Sequence, residues 1–130
     1  MILVDTSVWI DYFRGTTTSQ TVKLDRFLDE EMVCVGDLIL AELLQGFRTK
    51  KEMATAQKIL GTLEYHDLAG RKIALKAAEN YRKLRSKGIT VRKTIDVFIG
   101  TFCVENGIQL LHNDRDFEPM EKHLGLKVVR

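Results

Sequence analysis

The chain has 130 residues, 45% of them hydrophobic, and its 20 basic and 18 acidic side chains leave a formal net charge of +2. Such a chain can bury roughly 65 to 70% of its unfolded surface, so we expect one domain over residues 1–130. The small net charge does not indicate a polyanionic partner by itself. No apolar run approaches the length of a membrane span and the start lacks signal-peptide features, so we expect a cytoplasmic protein.

The predicted elements of the first half alternate between short apolar runs and helical patterns. The opening Met1-Ile-Leu-Val is a continuous apolar run, typical of a parallel strand that is buried on both faces. Asp37 is a suitable N-cap for the helix after the second such run. In chain order we predict strand, helix, helix, strand, helix and helix over residues 1–5, 8–14, 22–31, 32–35, 38–47 and 53–63.

The second half continues this alternation. Its long amphipathic helix is expected to stop at Gly88, and Thr94 is a suitable N-cap for the next helix. In chain order we predict strand, helix, helix, strand, helix and strand over residues 64–68, 73–84, 94–106, 109–111, 117–124 and 126–129. This order predicts an α/β sandwich in which helices flank a mainly parallel central sheet. Cys34 and Cys103 lie in apolar stretches without CxxC spacing, which favours buried, reduced thiols.

Four acidic residues stand beside residues that are expected in the core. Asp5 ends the first apolar run, Glu42 and Asp96 lie within apolar helical segments, and Asp114 follows the third core strand. A carboxylate next to the core is costly unless it is paired, neutralised or bound to a metal. Glu42 has no Lys or Arg three or four residues away. One shared divalent cation is the simplest explanation for all four acids.

The expected topology brings these acids together. Asp5 and Asp114 each follow a predicted core strand, and ligands of such sheets bind beyond the carboxyl ends of the strands. Carboxylates without Cys or His argue against zinc and favour Mg²⁺ or Mn²⁺. In that kind of site, one or two ions about 3.5 to 4 Å apart activate water and stabilise a leaving oxygen. The sequence therefore predicts metal-dependent hydrolysis of a phosphodiester.

The order and context of these acids resemble one known family, over essentially the whole chain. The segments concerned are Met1-Ile-Leu-Val-Asp-Thr-Ser7, Leu40-Ala-Glu-Leu-Leu44, Thr94-Ile-Asp96 and Leu110-Leu-His-Asn-Asp-Arg-Asp-Phe117. They are similar to those of PIN-domain ribonucleases, specifically VapC-type toxins of type II toxin–antitoxin pairs. The chain departs from the common pattern at His112 and Asn113, where Thr and Arg are frequent, and in the bulky residues 97–99.

This resemblance implies a fold, an activity and partners. The fold is a PIN-like three-layer sandwich, and the activity is metal-dependent endonucleolytic cleavage of RNA. The implied partners are a cognate antitoxin, which inhibits the enzyme, and a second copy of the chain in a homodimer. The implied catalytic metal ligands are Asp5, Glu42, Asp96 and Asp114, with Mg²⁺ or Mn²⁺ as the cofactor.

Several residues near these acids allow more than one role. Thr6 or Ser7 is expected to orient Asp5 by hydrogen bonding, although Asp5 could instead only cap the following helix. Asp116 is either a further metal ligand, a cap of the next helix or a group that supports the ligands. His112 is equally compatible with a hydrogen-bonding role at the strand end and with a substrate contact.

A basic stretch at residues 82–93 contains six basic residues and no acid. It is either a solvated face or a surface on which Arg85, Arg92 and Lys93 steer phosphates towards the acids. In the first helix, Trp9 is expected to pack in the core, while Tyr12 and Phe13 are open to packing or to docking an antitoxin helix.

Two other functions are compatible with part of this pattern. A non-catalytic module of the same fold would bind RNA or a protein through the basic stretch and keep the acids as remnants, but the complete set of four acids argues against it. A phosphatase or receiver domain with an aspartyl nucleophile would need a DxDxT-like opening, which this chain lacks.

Overall fold

A parallel four-stranded sheet forms the centre of the protein, whose computed structural model describes residues 1–130. The sheet has the order β3-β2-β1-β4, and every neighbouring pair of strands is parallel. All residues of the two central strands are buried, as expected for parallel strands covered on both faces. The strands are β1 (Ile2–Val4), β2 (Val33–Gly36), β3 (Glu64–His66) and β4 (Gln109–Leu111).

Seven α-helices connect and flank these strands: α1 (Thr6–Arg14), α2 (Ser19–Asp29), α3 (Asp37–Gln45), α4 (Lys50–Leu60), α5 (Arg71–Ser86), α6 (Thr94–Asn106) and α7 (Glu118–Leu124). Helix α1 packs on α2 and α3, whereas α5 packs on α6 and α7. The strand order reverses direction after β3, so right-handed crossovers place these two groups of helices on opposite faces. The predicted α/β sandwich with a parallel sheet is confirmed.

The starts of several helices differ from the predictions because of local capping. Helix α1 begins two residues early, at Thr6, since the Asp5 side chain caps it. Asp37 is the first residue of α3 rather than its N-cap, and its Oδ1 accepts a hydrogen bond from the backbone N–H of Leu68 at 2.6 Å. Thr94 is likewise the first residue of α6, and Lys93 occupies the cap position without a side-chain bond.

The predicted last strand, at residues 126–129, is reduced to a single bridge between Leu110 and Val128. Only Leu110 exchanges hydrogen bonds with it: its N–H donates to Lys127 O, and its C=O accepts from Val129 N–H.

The core joins both helical layers to the sheet, with 27 buried hydrophobic residues in one cluster. Cys34 and Cys103 are both buried, as predicted, and neither forms a disulfide. Burial raises the pKa of the Cys34 thiol to about 11, so this thiol stays protonated and unreactive at neutral pH. None of the helices is long and apolar enough to cross a membrane.

Candidate active site

The carboxyl ends of β1 and β4 are joined by the Ser7 side chain. Asp5 follows β1, and its Oδ2 accepts hydrogen bonds from the backbone N–H of Ser7 at 3.1 Å and from Ser7 Oγ at 2.7 Å. Ser7 Oγ in turn accepts from the backbone N–H of Asn113, beyond β4, at 3.0 Å. Asp5 therefore does cap α1, and the same contacts hold it at the edge where the two strands end.

Glu42 reaches this edge from the middle of α3, which packs on α1. Thr6 Oγ1 donates a hydrogen bond to Glu42 Oε1 at 3.0 Å, between residues 36 positions apart in the chain. Thr6 therefore holds Glu42 through its hydroxyl, while Ser7 holds Asp5. The sequence left open whether Thr6 or Ser7 orients Asp5, and it did not predict the bond between Thr6 and Glu42, because contacts between helices are not visible in local patterns.

Asp96 is the most unusual acid of the set. It lies in the first turn of α6 and is only 4% exposed, and its Oδ2 is buried without any hydrogen-bond partner. Burial is the main reason why the pKa of this carboxyl rises to about 7; the charges of Asp5, Asp114 and Glu42 add to the rise, against a smaller lowering by Lys93. An orphaned carboxylate oxygen in a cluster of acids can serve as a ligand atom for a cation.

Asp5 is under similar strain. Burial raises its pKa, with a smaller contribution from Asp114, although the hydrogen bonds from Ser7 oppose the rise. The pKa values of Asp5 and Asp96 are thus both raised above those of an ordinary Asp. Two neighbouring acids with raised pKa values indicate a cluster in which too little positive charge compensates the carboxylates.

Asp114 and Asp116 complete the acidic cluster. Ligand oxygens of Asp96, Asp114 and Asp116 all lie within 4.8 Å of one another. Asp114 Oδ1 accepts from the backbone N–H of Asp116 at 2.9 Å and so caps the 3-10 turn Arg115–Phe117. Asp114 is therefore the cap of this turn. The sequence allowed several roles for Asp116, and the structure places its carboxylate beside Asp96.

The donor set of this cluster fits a hard divalent cation. All of its side-chain donors are carboxylate oxygens, and one of them has no other partner. Asp5 and Glu42 lie close enough to raise the pKa of Asp96 but are not members of the closest trio. The structure thus brings the four predicted acids to one edge of the sheet and places Asp116, the possible further ligand, beside Asp96 and Asp114.

Two of the three residues singled out in the basic stretch, Arg92 and Lys93, lie beside the acids. Arg92 Nη2 donates to Asp116 Oδ2 at 3.0 Å and to Oδ1 at 3.3 Å, and Lys93 lies near enough to lower the pKa of Asp96. Arg85 instead lies over the ring of Tyr81, 5.8 Å from its centroid. Cationic side chains are therefore available at the rim of the acidic cluster, as a phosphate-binding surface requires.

A cleft of about 660 Å³ lies between α1, α3 and the start of α4. Glu42 is the one acid of the predicted four that lines it. The Phe13 ring lines it and packs against Phe47, 5.7 Å between centroids, and stacks on Trp9 at the same distance. Trp9 is fully buried, as predicted. The sequence analysis did not single out Phe47, which lies just beyond the end of α3.

Comparisons with known proteins agree with this architecture. The PIN-domain family model matches residues 2–122. Ribonuclease VapC11 of Mycobacterium tuberculosis and a VapC ribonuclease of Mycobacterium bovis are each 30% identical to the chain, over 99% of it and 98% of their own length.

Solved structures show the same fold. VapBC2 of Rickettsia felis, bound to a DNA fragment from its promoter, matches with a TM-score of 0.78 and 19% identity, over 99% of this chain and 98% of that one. The Mycobacterium tuberculosis toxin VapC20, described as cleaving the sarcin-ricin loop, matches with a TM-score of 0.66 and 18% identity, over 91% and 93%. By its family match and its full-length similarity to curated relatives, the chain belongs to the PIN-domain family, among the VapC ribonucleases.

Proposed function

We propose that this protein is a divalent-metal-dependent endoribonuclease, acts in the cytoplasm, and is the toxin of a toxin–antitoxin pair. The observation that supports this most directly is the buried, unpartnered Oδ2 of Asp96 beside Asp114 and Asp116. Curated relatives of the same length are named ribonucleases. Self-association, which the resemblance implied, stays a prediction.

The residues of the site divide into acids that would bind the ion and hydroxyl groups that position two of those acids. Asp96, Asp114 and Asp116 would hold Mg²⁺ or Mn²⁺, together with Asp5 and Glu42. When bound, the ion would activate water and neutralise charge on the scissile phosphate. The side chains of Ser7 and Thr6 keep Asp5 and Glu42 in place through the bonds described above, so these acids need little rearrangement to act.

The proposal is tested by incubating the purified protein with total RNA in Mg²⁺, in Mn²⁺ and in EDTA. Discrete fragments that form only with a metal, and whose ends carry no 2′,3′-cyclic phosphate, are expected because water rather than the ribose 2′-OH attacks. Cyclic ends would contradict the mechanism. Metal-independent RNA binding without cleavage would favour a non-catalytic binding module instead.

The basic rim gives a prediction about RNA binding. Replacing Arg92 and Lys93 by Gln is expected to weaken RNA binding and to reduce the slope of log affinity against log salt by about 2, one unit for each phosphate that no longer meets a cationic side chain. The affinity for Mn²⁺ is measured on the same variant, because Arg92 donates to Asp116 and Lys93 lowers the pKa of Asp96. Fluorescence anisotropy at several salt concentrations measures RNA binding, and calorimetry measures the affinity for Mn²⁺. A charge-matched control is the double variant Arg71→Gln, Lys72→Gln, in the exposed first turn of α5. An unchanged salt slope would assign the stretch to a solvated face.

The cleft gives a prediction about the antitoxin. We propose that an apolar antitoxin segment occupies it, since Phe13 and Phe47 line a cleft that also exposes Glu42 next to the acids. Phe47→Glu should weaken binding of the cognate antitoxin at least about tenfold, because it places a charge against an apolar contact. Leu75→Glu, at a 62% exposed position on α5, should not. Binding is measured by calorimetry, and equal effects of the two variants would place the antitoxin elsewhere.

A further inference from the structure

The loop after β4 has one backbone N–H that donates to an imidazole. The N–H groups of Asn113 and Asp116 bond within the site, to Ser7 and to Asp114. The N–H of Asp114 instead donates to Nδ1 of His112, at 3.2 Å. Asp114 is thus positioned by an imidazole that precedes it by two residues.

This contact defines the tautomer of the His112 ring. A ring nitrogen can accept a hydrogen bond only when it carries no hydrogen, so Nδ1 is bare and the hydrogen is on Nε2. Nε2 lies 3.0 Å from Glu121 Oε2, where it can donate to a carboxylate. The Asp114 amide and the Glu121 carboxylate therefore require the same neutral tautomer.

Glu121 is itself held in position. Its other oxygen, Oε1, accepts from Arg130 Nη2 at 2.6 Å, and the His112 ring lies 5.0 Å from that of Phe117 between centroids. The side chains of His112 and Glu121 are only 11% and 14% exposed. A partly buried chain of contacts therefore runs from Arg130 through Glu121 and His112 to the backbone of Asp114.

We propose that His112 is a positioning residue for the metal site: through Nδ1 it fixes the backbone of Asp114, and Glu121 and Arg130 fix its tautomer and orientation. This rests on the proposed function, in which Asp114 is a metal ligand. The general reason is that groups behind metal ligands orient them, and losing one typically costs about 10- to 100-fold in metal affinity. Thr is frequent at this position in the family, so the resemblance does not imply an imidazole in this role.

Two substitutions of similar size separate positioning from packing. In His112→Asn the side-chain Oδ1 stands at the position of Nδ1 and can still accept from Asp114 N–H. In His112→Gln the amide nitrogen stands at the position of Nε2 and can still donate to Glu121, but no acceptor faces Asp114. We expect the Asn variant to bind Mn²⁺ within about threefold of wild type and the Gln variant to bind at least about tenfold more weakly. RNA cleavage should follow the same order.

Nitrogen NMR of the wild-type protein without metal supplies a readout that does not depend on activity. A bare Nδ1, a protonated Nε2 and a scalar coupling across the hydrogen bond between Nδ1 and the Asp114 amide nitrogen are expected. A protonated Nδ1, or equal Mn²⁺ affinities of the Asn and Gln variants, would overturn the positioning role. If the coupling and the affinity difference are found but the wild-type protein cuts no RNA, the positioning role holds and the ribonuclease proposal fails.

Discussion

Asp96→Asn is expected to lower the rate of RNA cleavage by about 1000-fold or more while the protein stays folded. An ion held by carboxylates contributes several kcal/mol of charge stabilisation to the transition state, and each 1.4 kcal/mol corresponds to about a factor of ten in rate. The Asn amide keeps the shape of the side chain but replaces the unpartnered oxygen of Asp96 with a poorer ligand or with an NH₂ group. Cleavage rates at saturating Mg²⁺ and circular dichroism measure the two expectations.

Glu105→Gln is the matched control for this variant. Glu105 lies on the same helix, α6, but near its other end and exposed, so the substitution removes one charge without touching the cluster. It should cleave RNA at the wild-type rate. Cleavage by Asp96→Asn at a similar rate would contradict the site, and loss of RNA binding together with cleavage would show that the substitution does more than remove a ligand.

The acids were predictable because each of them conflicts with its local surroundings. Asp5 follows a buried strand and Asp96 lies among buried residues of α6, so either would be unfavourable unless it has a function. Asp116 has no such signal, since it lies in a polar segment. Its place beside Asp96 depends on the 3-10 turn that Asp114 caps, and the sequence did not predict that turn.

Tertiary contacts explain the remaining differences. The Thr6–Glu42 hydrogen bond joins two helices that are far apart in sequence, and only their packing selects Glu42 over Asp5 as the partner of Thr6. Similarly, the side chain of Asp37 is of a type that caps helices, but its Oδ1 accepts a hydrogen bond from the N–H of Leu68 instead. Gly36 allows Leu68 to pack there, because a Cβ at this position would overlap the leucine side chain. For both Thr6 and Asp37, long-range packing rather than local preference determines the hydrogen-bond partner.

Without metal, Asp96 should make the protein less stable as the pH rises. Its pKa is about 7 in the folded protein, against an ordinary value of 3.8, so the folded state binds this proton more tightly than the unfolded state. The resulting contribution to the free energy of unfolding is fully present below pH 3.8 and is lost as the pH rises towards 7. Asp5, whose pKa is also raised, acts in the same direction.

The comparison of wild type with Asp96→Asn isolates this contribution. The free energies of unfolding in EDTA should be close at pH 4, and the variant should be more stable by about 2 kcal/mol at pH 8, where the folded wild type holds a buried, ionised Asp96 that the Asn variant lacks. Urea titrations across this pH range measure the difference, and Glu105→Gln should follow wild type throughout. A difference that does not change with pH would show that Asp96 is not protonated in the folded, metal-free protein.

Mg²⁺ should reverse the order of stability. A ligand that binds only the folded state adds about 4.1 kcal/mol to the free energy of unfolding at a concentration one thousand times its Kd. The wild-type protein should gain this at pH 8, whereas Asp96→Asn should gain much less because its ligand set is incomplete. The variant is then the more stable protein in EDTA and the less stable one in Mg²⁺. This crossover is expected only if the repulsion among the acids and the binding of the ion occur at the same carboxylates.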